Sequence, residues 1–413
     1  MNDSVSQRDA GQGIRQSNHY LWWIVLPLLT GTALSQALMR QGLPVLYPFI
    51  QNEFELSRAQ VGLIISVQSI GLAAAVLVAG WLTDTLGVKR MITISLLSLA
   101  AFILAFPLVY SFSVILVLAV LFGITSSPVN PANTRAVVDW FPSRIRALAM
   151  GFIQMGIPIG GALSAAVLPA LAIATGWRMA AAATGLLVLV TAIAVILLYH
   201  DAPRGTQTVH KFNLANLKTI LRNRSLVTTI FWGAAFVGLQ FATLSYLMLF
   251  LIEELWLSPI MAGSMLAIAQ FSSIIGRVLW GAVSDFLFRG RRIVVLAITG
   301  FLTVLWMLGA SLTGIGVPSA VVYLITIAIG ISILSFHGVF IILIGEQSEA
   351  GQFGMTIGLA SAVYHVSMMV MPPLFGYLVD ITSSYSLAWR AAAAVALVCT
   401  LALLTFGREP QHR

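Results

Sequence analysis

Long apolar segments separated by short polar ones run along almost the whole chain. Each of these segments is long enough to cross the hydrocarbon core of a bilayer, which takes about 20 residues of helix. Runs of this length lack the alternating pattern of membrane β-strands. The pattern predicts an all-α integral membrane protein with twelve transmembrane helices, at residues 20–47, 57–80, 91–110, 112–139, 147–173, 177–199, 225–252, 258–283, 292–312, 317–345, 355–379 and 386–406.

One longer polar stretch, residues 200–224, separates the first six predicted helices from the last six. Its apolar and basic residues alternate in a way that suits a short amphipathic helix on the membrane surface. The pattern predicts a cytoplasmic linker between two six-helix bundles, residues 1–199 and residues 225–413.

The two predicted bundles repeat one another in sequence. Trp177-Arg178 opens the sixth predicted helix, and Trp389-Arg390 opens the twelfth. The segment that follows the second helix, 80–90, likewise has a counterpart after the eighth, 281–292. Parallel six-helix repeats are typical of secondary transporters, whose substrate site lies between the repeats near the middle of the membrane.

Composition supports a membrane protein and indicates its orientation. Hydrophobic residues make up 59% of the chain and charged residues only 9%, against about 25% charged residues in soluble domains. The net charge of +8 comes from short basic clusters between apolar segments, so nucleic acid is not an expected partner. Most Lys and Arg residues lie in alternate loops, which predicts that both termini are cytoplasmic. We expect a multi-pass protein of the bacterial inner membrane, acting as a monomer in a lipid bilayer.

Cofactors and metals are not expected. The chain has a single cysteine, Cys399, and therefore no internal disulfide or cysteine-based metal site. Neither a phosphate-binding Gly-Lys-Ser/Thr loop nor a His-Glu-x-x-His motif occurs in the sequence. Transport would draw its energy from an ion gradient or from substrate exchange.

The loop Gly80, Asp84, Gly87, Lys89, Arg90 resembles the signature of the major facilitator superfamily between helices 2 and 3, with Thr85 where a basic residue is usual. The resemblance extends over essentially the whole chain and implies the twelve-helix fold of that superfamily. It also implies a cytoplasmic charge network that holds one state of the transport cycle. The candidate members of this network are Asp84, Lys89, Arg90, Arg135, Asp139, Asp285 and Arg289.

Two groups within the superfamily share motifs with this chain. Arg40, the segment 53–57 and Gly62 are similar to the first-helix pattern of organic anion:cation symporters. Those symporters often carry Arg and Glu where this chain has Ala119 and Ser126, so their proton-coupling carboxylate has no counterpart here. Arg277, eight residues before Asp285, is similar to the substrate-binding Arg of monocarboxylate and oxalate/formate transporters.

Ionisable residues within membrane spans are costly and usually functional. Arg40 in the first predicted helix and Arg277 in the eighth are such residues, and no carboxylate falls in the middle of a span. A guanidinium binds a carboxylate through two parallel hydrogen bonds and keeps its charge when buried. We therefore predict that Arg40 and Arg277 bind one anionic group, while Arg40 snorkelling to the interface and Arg277 joining the gate network remain alternatives.

Two histidines lie inside predicted spans, His337 in helix 10 and His365 in helix 11, with Tyr364 beside the second. The unperturbed pKa of histidine lies near physiological pH, so a bound carboxylate could recruit a proton to such a residue. We predict substrate or proton contact for His337, His365 and Tyr364, with helix packing as the alternative.

Four polar side chains complete the predicted site. Asn130 and Asn133 lie near prolines that interrupt helix 4, and polar groups at such breaks can contact substrate where they line a polar cavity. Gln154 and Gln240 are further candidates in helices 5 and 7.

Together these features predict a secondary transporter, and not an enzyme, that imports a small carboxylate with protons by alternating access. A drug or metabolite efflux antiporter is the alternative, supported by a glycine-rich fifth helix and by Trp232, Phe241 and Tyr246 as candidate cavity residues. A membrane sensor that binds ligand without transporting it is a third possibility.

Overall fold

The computed structural model describes residues 21–142, 145–202, 220–349 and 352–409, and every regular element in these ranges is helical. Residues 203–219 of the predicted linker lie outside the described residues. The helices are α1 Leu26–Phe54, α2 Arg58–Leu86, α3 Val88–Leu104, α4 Phe112–Ser126, α5 Val129–Trp140, α6 Arg146–Thr175, α7 Trp177–Leu198, α8 Arg224–Glu253, α9 Pro259–Ala282, α10 Arg292–Ser311, α11 Ser319–Ile331, α12 His337–Gln347, α13 Phe353–Thr382 and α14 Tyr385–Phe406.

The predicted all-α membrane fold is confirmed. Eleven helical segments in the described part of the chain are long and apolar enough to span a membrane. The twelfth span consists of α11 and α12, two shorter apolar helices in sequence. The first two spans are longer than predicted: α1 continues to Phe54, and α2 runs from Arg58 to Leu86.

Two spans in corresponding places are interrupted near their middle. The fourth span changes from α4 to α5 at Pro128, and the Ser126 carbonyl there accepts a hydrogen bond from Gln36 Nε2 at 3.0 Å. The tenth span changes from α11 to α12, and the Ile331 carbonyl accepts from Trp280 Nε1 at 2.5 Å. Because each freed carbonyl has a side-chain partner, both interruptions are stable in an apolar surrounding.

Each six-span bundle has a carboxylate just after its last span, and this carboxylate caps a helix of the same bundle. Asp201, just after α7, accepts a hydrogen bond from the Lys89 amide in the first turn of α3 at 2.9 Å. Glu409, just after α14, accepts from the first three amides of α10, those of Arg292, Ile293 and Val294, at 2.9 to 3.4 Å. Negative charge is favourable at a helix N-terminus, so each carboxylate ties the end of its bundle to α3 or α10.

Asp201→Ala is expected to lower the free energy of unfolding by about 1 kcal/mol, because it removes the acceptor from the α3 N-terminus. Asp201→Asn keeps an oxygen acceptor and is expected to lose less. Thermal unfolding in detergent measures both variants, and equal melting temperatures for the wild type and Asp201→Ala would contradict the capping role.

The first six spans, α1–α7, meet the last six, α8–α14, mainly through two helix pairs. Helix α2 packs against α13, and α6 packs against α9, while α1 contacts α8. Gly62 and Gly376 allow close approach in the first pair, since a Cβ on either would lie under 3 Å from atoms of the opposing helices. Farther along the same helices, Gly80 and Gly358 have no described neighbour within 4 Å of a Cβ position. The described residues of α2 and α13 are therefore in close contact at the Gly62 and Gly376 end and not at the Gly80 and Gly358 end. We call these the closed end and the open end.

Candidate functional site

Arg40 lies at the middle of α1 and faces the second six spans. Its guanidinium lies over the Phe241 ring of α8, 4.9 Å from the ring centroid, and its Nη2 is 3.9 Å from Met368 Sδ of α13. A guanidinium over an aromatic face is attracted by the ring. Among the described residues no carboxylate is recorded as an ion-pair partner of Arg40, whose contacts are the Phe241 ring and the Met368 sulfur.

Arg277 and His337 belong to the second six spans, next to the interruption of the tenth. His337 is the first residue of α12, and Phe336 stacks on its ring at 4.3 Å. Gly276 packs α9 against Ser335, which places Arg277 beside the interruption.

Helix α12, which begins with His337, packs against α9, which carries Arg277. It also packs against α8 and α13, whose Phe241 and Met368 contact Arg40. These helix contacts group two arginines from opposite halves with one histidine.

Arg277 Nε and His337 Nδ1 are buried without a hydrogen-bond partner among the described residues. Buried polar atoms are paired in the great majority of cases. An unpaired guanidinium nitrogen can donate only, so it is suited to an acceptor such as a carboxylate oxygen. The predicted pair Arg40 and Arg277 therefore has the chemistry of an anion site.

His365 and Tyr364 lie on α13, the helix whose Met368 contacts Arg40. Their rings are 4.7 Å apart. His365 Nδ1 lies 2.6 Å from the Ser361 carbonyl of the preceding turn. Since a carbonyl only accepts, Nδ1 of His365 is the donor. This bond fixes the ring in a helix-packing position and leaves Nε2 for other contacts.

The four predicted polar side chains occupy different environments. Gln240 is buried, and its Oε1 has no partner among the described residues. Asn133 is buried between α5 and α1, where its Oδ1 accepts from Thr32 at 3.0 Å. Asn130 is exposed and Gln154 is half-buried. Gln240 therefore has a free acceptor, whereas Asn133 takes part in packing between helices.

Three of the predicted gate residues, Arg135, Asp139 and Asp285, have described ion pairs, and each pair lies within one half. Arg135 Nε donates to Asp139 at 2.9 Å, one turn along α5. Asp285 pairs with Arg292, which also reaches Glu346 at 3.4 Å. Lys89 contributes its amide to Asp201, and Arg90 and Arg289 have no described ion pair. The side chain of Asp84 lies outside what the structure describes.

The closed end holds a charged cluster that the sequence did not single out. Arg58 at the start of α2 pairs with Glu253 at the end of α8, with Nη2 to Oε2 at 2.7 Å. Tyr385 Oη donates to the same carboxylate oxygen at 2.9 Å. Asp380 near the end of α13 accepts from the Arg58 and Ala59 amides at 2.9 and 2.8 Å. We call Arg58, Glu253, Asp380 and Tyr385 the closed-end cluster.

Comparison with protein families matches residues 29–340 to the Major Facilitator Superfamily. The chain is 25% identical over 384 residues to the hexuronate transporter of Bacillus subtilis (strain 168), with 89% of this chain and 90% of that protein covered. It is also 25% identical over 440 residues to a probable galactarate/D-glucarate transporter of Escherichia coli (strain K12), with 97% and 96% covered.

A solved structure of similar fold is that of a bacterial homolog of the human lysosomal transporter Spinster, in an inward-facing and occupied conformation. The TM-score is 0.75 at 15% identity, and the alignment covers 92% of this chain and 95% of the other. At this identity the likeness extends to the fold. The comparisons agree with the helix arrangement described above.

Proposed function

Because this chain belongs to the Major Facilitator Superfamily of transporters, we propose that it imports a small organic anion, a carboxylate, together with protons. The observation that carries the proposal is a pair of arginines inside the spans of opposite halves: Arg40 on α1 contacts Phe241 and Met368, and Arg277 on α9 has a buried Nε with no partner among the described residues. The names of its relatives, transporters of hexuronate and of galactarate and D-glucarate, support an organic acid as substrate.

The two arginines lie on opposite halves, as a binding site that is exposed to each side of the membrane in turn requires. Arg40 is carried by α1 of the first six spans, and Arg277 by α9 of the last six. An anion bound to both joins the two halves, and rocking of one half about the other exposes it to one side and then to the other. The proposed rocking units are residues 1–199 and 225–413, joined by residues 200–224.

Orientation follows from the positive-inside rule, which favours cytoplasmic basic loops. Lys89, Arg90, Arg289, Arg291 and Arg292 all lie at the open end. We therefore place the open end in the cytoplasm and both termini with it, in the bacterial inner membrane. In this orientation the structure corresponds to an inward-open state.

Proton coupling is assigned to the histidines of the second half. The carboxylates of the described spans lie near helix ends, as Glu53, Glu253 and Asp380 do. His337 lies on α12, which packs against the Arg277 helix α9, and its Nδ1 is unpartnered among the described residues. A carboxylate bound to the arginines lies where it can stabilise a proton on this imidazole.

Efflux of amphiphilic drugs receives less support. Trp232 is buried, stacks on Phe236 at 4.1 Å and hydrogen-bonds Thr400. Tyr246 is also buried and donates to the Arg58 carbonyl at 2.6 Å. Two of the three aromatic residues considered for a drug cavity are therefore used in packing, and Phe241 lies under Arg40.

A ligand screen by thermal unfolding tests the proposed substrate class. A ligand that binds only the folded protein increases the free energy of unfolding, by about 2.7 kcal/mol at a concentration of a hundred times Kd, and so raises the melting temperature. We expect stabilisation by at least one mono- or dicarboxylate, hydroxylated acids included, and none by cationic amphiphiles. Stabilisation by cationic or neutral amphiphiles alone would replace the uptake proposal by efflux. Uptake of the hit into proteoliposomes, with and without a pH gradient, then separates transport from sensing.

A further inference from the structure

The closed-end cluster joins the two halves through the N-terminus of α2. The first four amides of a helix have no partner within the helix. In α2 the Gln60 amide donates to Ser57 Oγ, and the Ser57 amide donates to Gln60 Oε1. The Arg58 and Ala59 amides instead donate to Asp380 of the opposite half. Half of the capping of α2 therefore depends on contact with α13.

Arg58 is held from several sides by the second half. Its guanidinium donates to Glu253 through Nη2 at 2.7 Å and Nε at 3.1 Å, and Nη1 is 3.7 Å from Asp380. Its carbonyl accepts from Tyr246. Separating the halves at this end breaks all of these bonds together with the cap.

The other helix pair between the halves, α6 and α9, has no carboxylate at the position that corresponds to Asp380. Helices α6 and α13 are corresponding spans of 30 residues, and Ile173 in α6 holds the place that Asp380 holds in α13. Helix α9, which faces α6, begins with Pro259, whose nitrogen has no hydrogen to donate. Among the described residues, the polar connections across the closed end therefore join α2 to α13 and α8, and none is described between α6 and α9 at this end.

Comparison of two corresponding glutamates supports a special role for this cluster. Glu53 and Glu253 end the first span of each half. Glu53 pairs with Arg178, with Nη2 to Oε1 at 2.6 Å, and accepts from Trp177 within its own half. Glu253 binds Tyr385 of its own half and also Arg58 of the other half. The first glutamate stabilises one half, and the second joins both.

We propose that Asp380 and Arg58 form a latch that holds the closed end shut and sets the balance between the two open states of the transporter. The latch consists of the Asp380 cap on α2 and the Arg58–Glu253 ion pair. It acts whatever the substrate is, and therefore goes beyond the proposed anion transport. Its opening is the step that exposes the cavity at the closed end.

Spin-label distance measurements on ligand-free protein in nanodiscs test the latch independently of substrate. In a Cys399→Ala background, labels at Leu108→Cys and Ile315→Cys report the closed end, since both side chains are exposed on opposite halves. Labels at Leu148→Cys and Leu287→Cys report the open end in the same way. The wild-type latch is expected to give one short distance population at the closed end.

Asp380→Asn removes the charge and one of the two equivalent acceptors from the cap. Because hydrogen bonds to charged groups contribute more than neutral ones, the population open at this end is expected to rise about tenfold. The closed-end distance then lengthens and the open-end distance shortens. Arg58→Gln removes the ion pair with Glu253 but keeps the backbone cap, so it should shift the distances in the same direction, and the double variant should shift them further than either single variant.

Glu53→Gln is the matched control, because it changes the corresponding glutamate within one half. It is expected to leave both distance distributions as in the parent. Size-exclusion and thermal unfolding profiles show which variants are folded. Unchanged closed-end distances in folded Asp380→Asn and Arg58→Gln would overturn the latch, and so would an equal shift in Glu53→Gln.

Discussion

Arg277→Gln is expected to weaken binding of the anionic substrate about thirtyfold or more. Loss of one partner from a buried, hydrogen-bonded charge pair costs about 2 to 5 kcal/mol, and each 1.4 kcal/mol is a tenfold change in affinity. Arg277→Lys keeps the charge but loses the planar, two-pronged geometry, so we expect an intermediate loss. Thermal shift with the carboxylate identified by the screen, followed by calorimetry, measures both variants.

Without ligand, Arg277→Gln should not destabilise the protein, although it weakens substrate binding. Arg277 Nε is buried without a partner among the described residues, and an uncompensated buried charge is unfavourable. Ligand-free Arg277→Gln is therefore expected to melt at the wild-type temperature or above it. Arg390→Gln, an exposed arginine of the same half, is the charge-matched control and should retain binding. A lower melting temperature together with unchanged affinity would assign Arg277 a structural role.

His337→Gln is expected to abolish accumulation of substrate driven by a pH gradient, while exchange of labelled for unlabelled substrate continues. Glutamine has a similar shape but does not titrate, so the anion still binds and no proton is carried with it. The two activities are measured in proteoliposomes with and without an inward proton gradient. Binding affinity should change much less than in Arg277→Gln.

His365→Gln separates the roles of the two histidines. His365 Nδ1 already donates to the Ser361 carbonyl, so its replacement should disturb α13 more than it changes proton coupling. We expect gradient-driven accumulation to persist in His365→Gln at a reduced rate. Retention of accumulation in His337→Gln and its loss in His365→Gln would transfer the coupling role to His365.

Most of the fold follows from the apolar pattern, because a bilayer leaves helices as nearly the only way to satisfy the backbone. The ends of the helices depend also on side-chain contacts with other spans, which the apolar pattern does not show. The first apolar run ends near residue 47, yet α1 continues to Phe54, where Glu53 binds Trp177 and Arg178 of another span. Such partners are more than 120 residues away in the chain.

The sequence also indicated part of the site. Arg40 and Arg277 stand out because a charge in an apolar run is conspicuous. In the structure the Arg40 guanidinium lies over Phe241, and Arg277 Nε has no partner among the described residues. Arg58 and Asp380 lie at helix ends, where charged residues are common and carry little signal. Their contact joins residues 322 apart, so only the packing of α2 on α13 reveals it. A clue was available in the spacing of Glu53 and Glu253, which matches the repeat.

The interruption of the tenth span has a consequence for substrate selection. Trp280, three residues after Arg277 on α9, holds the Ile331 carbonyl at the break, and Gly276 packs on Ser335. Arg277 and His337 lie on helices that pack together, whereas in the proposed cycle Arg40 moves with the other half. In this cycle, Arg277 and His337 bind one end of the substrate first, and Arg40 contacts the other end when the two halves close. Molecular length would then govern turnover more strongly than initial affinity, so that a short anion binds yet is carried slowly.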